Sequence, residues 1–331
     1  MGITMRELGR MLGVSAVTVS KALSGKSGVS EEMRRRIVAL AERMGYINPK
    51  KAPTDGALDV GILVPEGFFS GDNFYAMFYK QLLQALTEAG CFGMLELITA
   101  EMQRSLALPN LLRSGKVQGL ILLGQPTEDY AGLVVGHGLP VVALDFHLPA
   151  VPMDAVVGDN IAGAAEMTRH LLAWGHRDIG FLGNVHATSS IMERYLGFAS
   201  EMQRREQPIR QEWILYDRSD DNVVFEPALP EKMPTAFVCN CDIVARPFVE
   251  QLRRAGYRVP EDVSIVGYDD FNNVPGSLPL TTYRVDTLSM CRIAVERLAA
   301  RCKGDESPPR RVIVGGEGVY RDSVQPMEKN R

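Results

Sequence analysis

The stretch VSAVTVSKAL, residues 14–23, decides the architecture of the N-terminal part of the chain. Ser15 stands where a helix cap is expected, and Val19 and Leu23 lie one turn apart on one face of the helix that follows. Gly13, directly before the stretch, is typical of the left-handed residue that ends a helix. The pattern predicts a helix, a glycine turn and a second helix.

The helix before this turn and a third helix after it carry their own signals. Thr4 and Glu7 have the spacing of a capping box, so the first helix is expected to begin at Thr4 or just after it, with Leu8 and Leu12 on its inner face. Ser30 is expected to cap the third helix. The apolar residues that repeat at helical spacing in this third helix are Met33, Ile37, Leu40, Ala41 and Met44.

The charge of the chain is divided unevenly. Residues 1–51 carry ten Lys or Arg and four acidic residues, a net charge of +6, whereas the remaining residues carry 26 basic and 36 acidic side chains, a net charge of −10. A solvated helix face explains any single basic cluster equally well. A whole module of one sign joined to a domain of the other sign favours phosphate binding, because that binding needs a local excess of positive charge.

These N-terminal residues resemble the DNA-binding headpiece of the lactose-repressor (LacI/GalR) family. The resemblance spans about 45 consecutive positions and includes the stretch 14–23, Gly28-Val29-Ser30, residues 34–37 and Gly45-Tyr46. It implies that the second helix lies in the major groove of DNA. The DNA contacts expected on this basis are Thr4, Ser15, Ala16, Val17, Ser20, Lys21, Ser24, Ser30, Lys50 and Lys51.

The second helix has the side chains of a helix that contacts bases. Ala16 and Val17 have no hydrogen-bonding side chain, so they are expected to contact thymine methyl groups, whereas Lys21 is expected to reach a guanine or a phosphate. Ser15 and Ser30 stand at helix starts, where a hydroxyl group contacts a phosphate or serves as a cap. A small three-helix bundle with no role in DNA binding is the alternative interpretation.

The segment after the headpiece departs from the family pattern. Family members continue with a hinge helix that inserts a leucine into the minor groove, but residues 48–56 contain Pro49, Pro53 and Gly56, and Asp55 falls near the leucine position. We expect residues 47–57 to be a basic linker in which Lys50 and Lys51 contact DNA.

The rest of the chain alternates apolar runs with amphipathic stretches, a pattern typical of parallel sheets. Strands are predicted at residues 60–64, 94–98, 120–123, 141–144, 179–182, 236–238 and 264–266, and helices at 74–88, 162–173 and 244–254. The predicted fold is an all-α three-helix headpiece followed by a two-lobed α/β core with doubly wound parallel sheets. The expected domains are a headpiece at 1–46, a linker at 47–57 and a core at 58–331, with one lobe at 58–158 plus 287–325 and the other at 159–286.

The core sequence also resembles the family's effector domain, which is built like periplasmic sugar-binding proteins. The resemblance rests on residues 175–179, Arg194 with Gly197, residues 259–270, 280–282 and 321–323. It implies that Arg194 donates hydrogen bonds to an effector and that Asp269 accepts them. A structural ion pair is the alternative for each of these two residues.

Other candidates for the effector site match the family less closely. Asp242 matches one aspartate, but Cys241 replaces the asparagine before it and Asn240 lies one position earlier. Asn73, Phe74 and Asp159 match loosely, and Phe74 is expected either to stack on a ligand ring or to lie in the core. Residues that follow predicted strands, Asp145 among them, are candidates by position alone, because parallel sheets bind ligands at the carboxyl ends of their strands.

The sequence offers little for catalysis or metal binding. Gly25-Lys26-Ser27 looks like the end of a phosphate-binding loop, but Ser20 occupies the position of its upstream glycine. Cys239 and Cys241 have neither a second pair nor a nearby histidine, so core thiols are favoured over a zinc site. We expect a protein that is not an enzyme and that has no cofactor. Five cysteines, an odd number, and the lack of an 18-residue apolar run predict a cytoplasmic protein that does not enter membranes.

Two classes of function remain open. The favoured one is a transcriptional regulator, expected to be a repressor, whose homodimer binds a palindromic DNA operator under the control of a small-molecule effector, expected to be a carbohydrate. The alternative is a cytoplasmic sugar-binding or sugar-metabolising protein with a vestigial headpiece.

Overall fold

The computed structural model describes residues 5–23, 28–43, 58–69, 74–220, 222–271 and 277–327. The chain divides into two compact units, Met1–Ala57 and Leu58–Arg331. The positions Thr4, Ser24, Asn73, Lys50 and Lys51 lie outside the described residues, as does the expected linker.

The first unit contains the helices α1 (Met5–Leu12), α2 (Ala16–Leu23) and α3 (Glu31–Arg43). Gly13 ends α1 with a φ of +67°, as the glycine turn requires. Gly9 permits the close approach of the turn, because a Cβ atom at this position would lie 2.6 Å from the carbonyl oxygen of Val14. The buried core of the unit consists of Leu8, Val19, Ala22, Ile37, Leu40 and Ala41.

The second unit alternates strands and helices along most of its length. Its strands are β1 (Asp59–Pro65), β2 (Phe92–Ile98), β3 (Gly119–Leu123), β4 (Val141–Leu144), β5 (Asp154–Gly158), β6 (Ile179–Leu182), β7 (Ile214–Leu215), β8 (Ala236–Cys239), β9 (Ser264–Asp269), β10 (Thr281–Val285), β11 (Arg311–Val314) and β12 (Gly316–Val319). Its helices are α4 (Phe74–Glu88), α5 (Ala100–Ser105), α6 (Asn110–Ser114), α7 (Glu128–Gly136), α8 (Asn160–Ala173), α9 (Ser189–Arg204), α10 (Asp242–Arg254) and α11 (Thr287–Cys302).

The strands form two six-stranded sheets, one in each lobe. The first sheet has the order β11-β5-β4-β3-β1-β2 and is parallel throughout, and the second has the order β12-β10-β9-β8-β6-β7. In the second sheet only the pairing of β12 with β10 is antiparallel among the strands described. Because of this pairing residues 316–319 belong to the second lobe, whereas the expected first lobe extended to residue 325. The predicted doubly wound α/β core is therefore confirmed. The apolar runs failed to reveal β5, β7 and the strands from β10 to β12.

The chain passes between the lobes three times, each time through a single residue. Asp159 lies between β5 and α8, Asp286 between β10 and α11, and Gly315 between β11 and β12. Asp159 and Asp286 have nearly the same backbone angles, and each side chain caps the helix that follows. The backbone N–H of Asp159 donates to the carbonyl oxygen of Val314, so two of the three passages are hydrogen-bonded to each other.

The length and the apolar character of the helices show whether any of them could span a membrane. None of the helices in the part of the chain that the structure describes is long and apolar enough to cross a lipid bilayer.

Candidate functional site

A cavity of about 180 Å³ lies between the two lobes, at the carboxyl ends of their strands. Its first-lobe wall includes Phe68, Phe74, Tyr75 and Asp145. Its second-lobe wall is more polar, and it is formed by Thr188, Ser190, Ile191, Arg194, Arg218, Asn222, Val224, Asn240, Cys241, Ile243 and Asp269. Parallel sheets of this type bind ligands at this edge.

Arg194 occupies the centre of the second-lobe wall. It comes from the second turn of α9 and is only 6% exposed. Its Nε donates to Oδ1 of Asn160 at 2.9 Å, and its Nη1 donates to the carbonyl oxygen of Asn240 at 2.7 Å. The guanidinium carbon lies 3.8 Å from the centre of the Tyr268 ring. These contacts fix the direction in which the guanidinium faces the cavity.

Asp269 ends strand β9 beside Arg194. Its Oδ1 lies 3.4 Å from Nη2 of Arg194, a charge contact without hydrogen-bond geometry. This oxygen has no hydrogen-bond partner among the described residues although the side chain is buried. Burial raises the pKa of Asp269, and the positive charge of Arg194 opposes that rise. A buried carboxylate at a cavity wall is suited to accept from a hydroxyl group of a ligand.

Asp145 faces the cavity from the first lobe, where it follows strand β4. The hydroxyl group of Tyr75 donates to its Oδ2 at 2.7 Å. Burial raises the pKa of Asp145 to about 6, against the lowering influence of Arg194 and of the Tyr75 hydrogen bond. The carboxylate is thus close to its protonation midpoint under mildly acidic conditions. Its place after an apolar run was the only sequence signal for it.

Arg218 is a second guanidinium of the cavity wall, and no sequence pattern pointed to it. It follows β7, which is only two residues long and carries no recognisable strand pattern. Its Nη2 lies 2.6 Å from Oδ2 of Asp217, which neutralises the charge. Its Nη1 donates to Oδ1 of Asn222 at 2.8 Å.

The residues predicted from the sequence divide into two groups. Phe74, Arg194, Asn240 and Asp269 line the cavity. Phe74 also packs on the ring of Phe78 at a centroid distance of 5.5 Å, so it belongs both to the core and to the cavity wall.

Asp159 and Asp242 do not line the cavity. The carboxylate of Asp159 caps α8 by accepting from the backbone N–H of Ala162 at 3.0 Å. Asp242 is fully buried beneath the wall, where its two oxygens accept from the hydroxyl group of Thr282 and the backbone N–H of Phe271. Both carboxylates are engaged in hydrogen bonds within the fold, and neither residue is part of the cavity wall.

The two cysteines considered for zinc are free, buried thiols. Burial raises the pKa of Cys241 to about 11, which keeps its thiol protonated. No group of three His, Cys, Asp or Glu side chains within the described ranges is placed to hold a metal ion.

The outer face of α2 in the first unit carries the side chains expected to contact bases. Val17 is 64% exposed, Lys21 is exposed, and Ala16 and Ser20 are half-buried. The apolar side chain of Val17 is therefore accessible on the outer face of α2.

The hydroxyl groups at the two helix starts have structural roles of their own. Ser15 caps α2 by accepting from the backbone N–H of Thr18 at 3.0 Å, and Ser30 accepts from that of Met33 at 3.3 Å. Capping leaves the other N–H groups of each first turn available to a phosphate.

A helix-turn-helix unit and a two-lobed core with a polar cavity, joined in one chain, place the protein among DNA-binding transcription regulators. Residues 4–48 match the model of bacterial regulatory proteins of the lacI family, and residues 168–324 match the periplasmic binding protein-like domain. The chain belongs to the lacI family.

Known relatives match over almost the whole chain. The HTH-type transcriptional repressor PurR of Actinobacillus pleuropneumoniae serotype 3 (strain JL03) is 26% identical over 98% of this chain and 99% of its own length. The lac repressor dimer bound to operator and the anti-inducer ONPF has a TM-score of 0.75 at 20% identity, over 98% of this chain and 100% of its own. A complex of the transcriptional regulator CelR with cellobiose has a TM-score of 0.68 at 23% identity, over 97% of this chain and 99% of its own.

Proposed function

We propose that the protein is a transcriptional repressor whose affinity for operator DNA is controlled by a small neutral polyol, of the size of a monosaccharide, bound between the lobes. The observation that carries this proposal is a pair of buried carboxylates, Asp145 and Asp269, that line the cavity with hydrogen-bond acceptor capacity left over. The same chain also contains a helix-turn-helix unit. The proposal includes the domains expected from the sequence, which are a headpiece at 1–46, a linker at 47–57 and an effector-binding core at 58–331.

The charges at the cavity favour a neutral ligand. Arg194 contacts Asp269, and Arg218 is paired with Asp217, so each described guanidinium of the wall already has a carboxylate partner. The acceptor capacity that remains includes the carboxylates of Asp269 and Asp145. A phosphate or carboxylate group would be repelled by these acceptors, whereas the hydroxyl groups of a sugar donate to them.

The apolar wall of the cavity suits the other surface of a sugar. Phe68 and Tyr75 lie with their ring centroids 4.7 Å apart, and Phe74 completes an aromatic wall on the first lobe. The C–H face of a pyranose or furanose buries apolar area against such rings. The relative that binds cellobiose, a carbohydrate, has the same fold.

The DNA side of the proposal rests on the exposed α2 and the net charge of +6 in residues 1–51. Ala16, Val17, Ser20 and Lys21 are the proposed base contacts, with Thr4, Ser15, Ser24, Ser30, Lys50 and Lys51 at the phosphates. A single headpiece of this size makes few contacts, so a homodimer on a palindromic operator is proposed. Cytoplasmic location is part of the same proposal.

Two measurements on the purified full chain test the proposal. Selection from a library of genomic fragments is expected to recover a palindromic site, and thermal melting is expected to rise with one neutral sugar but not with sugar phosphates or nucleobases. That sugar must also change the affinity for the recovered site. A rise in melting with sugar and no selected DNA would instead support the sugar-binding protein with a vestigial headpiece.

A further inference from the structure

Helix α9 of the second lobe is contacted directly by residues of the first lobe. The backbone N–H of Ser189 donates to Oε1 of Gln125 at 2.8 Å, and its Oγ accepts from the backbone N–H of His147 at 3.2 Å. A further contact comes from strand β11, where Nη2 of Arg311 donates to Oε1 of Glu193 at 2.5 Å. The first two turns of α9 are therefore tied to the other lobe.

Glu193 extends this contact into the wall of the cavity. Its second oxygen, Oε2, accepts from Nδ2 of Asn160 at 3.1 Å, and Oδ1 of Asn160 accepts from Nε of Arg194 at 2.9 Å. The side chain of Glu193 is 14% exposed and Asn160 is 2% exposed, so water competes little for these groups. A chain of hydrogen bonds thus runs from Arg311 in the first lobe to Arg194 in the second.

The carboxylate of Glu193 fixes the orientation of the Asn160 amide. A carboxylate only accepts hydrogen bonds, so it requires the NH₂ group of Asn160 to face it, and Oδ1 of Asn160 then faces Arg194. The reversed amide would place its NH₂ group against the Nε–H of Arg194, with two donors facing each other. Glu193 therefore favours the one amide orientation that holds the guanidinium.

We infer that Glu193 is a positioning residue through which the first lobe controls how firmly the Arg194 guanidinium is held. Arg311 moves with the first lobe, so separation of the lobes removes one of the two donors that fix Glu193. The orientation of Asn160 and its hydrogen bond to Arg194 are then weakened. Arg194 is more ordered when the lobes are close together than when they are apart. The value of this order for binding an effector rests on the proposed function, whereas the hydrogen-bond chain does not.

The test measures hydrogen exchange of the Arg194 Nε–H group by NMR, in the full chain without any sugar. The signal is identified by its absence from Arg194→Lys, and in the parent chain it is expected to exchange more slowly than those of exposed arginines. Glu193→Met is expected to accelerate the exchange about tenfold, the effect of losing one buried hydrogen bond. Arg311→Met is expected to accelerate it about threefold, because this ion pair is partly exposed. Arg311→Lys keeps the charge and is expected to lie between the parent and Arg311→Met.

Two control variants make the same changes at exposed positions. Arg310→Met lies next to Arg311 in the chain, and Glu212→Met lies in the same lobe as Glu193. Both are expected to leave the exchange of Arg194 unchanged. Thermal melting shows which variants are folded, and Arg311→Met carries the test if Glu193→Met is not.

Three results would overturn the inference. Lower melting of Glu193→Met with unchanged exchange would show that Glu193 only stabilises the fold. Faster exchange in Glu193→Met but not in Arg311→Met would remove the first lobe from the chain of contacts. Rapid exchange in the parent would show that the guanidinium is not held at all. Failure of every sugar to bind would instead contradict the proposed function, and it would leave the exchange measurement unaffected.

Discussion

Asp145 and Asp269 face the same cavity from opposite lobes, and both hold a left-handed backbone conformation, with φ angles of +73° and +100°. Each lies at the carboxyl end of a parallel strand, Asp145 after β4 and Asp269 at the end of β9. Such angles cost residues other than glycine about 1 to 3 kcal/mol, and the surrounding structure must maintain them. The strained turn directs each carboxylate into the cavity.

Replacing Asp145 by asparagine is expected to stabilise the protein at neutral pH. The folded chain holds a proton on Asp145 up to about pH 6, whereas the unfolded chain releases it near the ordinary value of 3.8. Folded-state stability therefore falls as the pH rises through this window. The asparagine stays neutral and still accepts from Tyr75, so Asp145→Asn is expected to gain about 3 kcal/mol at pH 7 and nothing near pH 3.5. Denaturant unfolding across this pH range measures the difference. A difference that does not change with pH would contradict the proposed burial effect.

Arg194 and Asp269 are expected to be energetically coupled. Arg194→Met leaves a buried carboxylate without its cation and is expected to destabilise the core by about 3 to 5 kcal/mol. Asp269→Asn in the same chain removes that charge, so the double variant is expected to recover at least about 1 kcal/mol relative to the sum of the single changes. Urea unfolding of the four proteins gives the coupling energy. Additive losses would show that the 3.4 Å contact contributes nothing.

Both single variants are also expected to weaken effector binding about thirtyfold or more, because they leave polar groups of ligand and wall unpaired. Operator affinity of the ligand-free variants is expected to stay within a few-fold of the parent. Loss of operator binding with intact effector affinity would mean that Arg194 and Asp269 have structural roles only.

Val17→Gln is expected to change the preferred base pair at one operator position. The valine is exposed on α2 and carries no hydrogen-bonding group, whereas glutamine pairs with adenine in the major groove. Affinity for unrelated DNA, which rests on phosphate contacts, is expected to stay nearly constant. Selection from randomised sites measures the preference, with Glu32→Gln on α3 as the control. The same selected sequence for parent and variant would place α2 away from the bases.

Gly9→Ala is expected to unfold the turn between α1 and α2. Alanine normally stabilises a helix interior by about 1 kcal/mol over glycine, but here its Cβ would lie 2.6 Å from a backbone oxygen that cannot move freely. DNA affinity is expected to drop at least tenfold while the melting of the core is unchanged. Gly132→Ala in α7, where a Cβ meets nothing within 4 Å, is the matched control and is expected to be neutral or stabilising. Unchanged DNA binding by Gly9→Ala would show that the turn adapts.

Sequence patterns predicted the strands that appear in the sequence as runs of apolar residues. Apolar runs predicted the strands from β1 to β4, together with β6, β8 and β9. They missed β5, where the five-residue run begins with a charged residue, and β12, which is partly exposed and rich in glycine. An apolar run therefore indicates a strand and not its burial, because β2, half-exposed at the edge of its sheet, was predicted, whereas β5, buried inside the sheet, was missed.

Position along the chain predicted cavity residues only where a polar residue follows a recognisable strand, whereas Phe74 and Arg194, which lie on helices, were predicted from the family resemblance. Asp145 and Asp269 satisfy that rule, whereas Asp159 follows β5, which no apolar run revealed, and its carboxylate turns back to cap α8. The position of a residue after a strand places it at the carboxyl edge of the sheet, but it does not show in which direction the side chain points. Arg218 was missed because β7 contains two residues, and Tyr75 because its role depends on a hydrogen bond to a residue 70 positions away.

The three single-residue passages between the lobes limit how the core is able to move. A change in the angle between the lobes has to be absorbed by the backbone torsions at Asp159, Asp286 and Gly315 and at their immediate neighbours. Two of these residues are held by helix caps, and the third precedes Gly316, where a Cβ would lie 2.1 Å from the carbonyl oxygen of Arg284. Few torsional degrees of freedom remain at these passages. The two lobes are therefore expected to open and close as rigid bodies that rotate about one nearly fixed axis. Ligand binding in the cavity is thereby expected to change one quantity, the angle between the two lobes. Strand β1, which follows the N-terminal unit in the chain, moves with the first lobe as one rigid body.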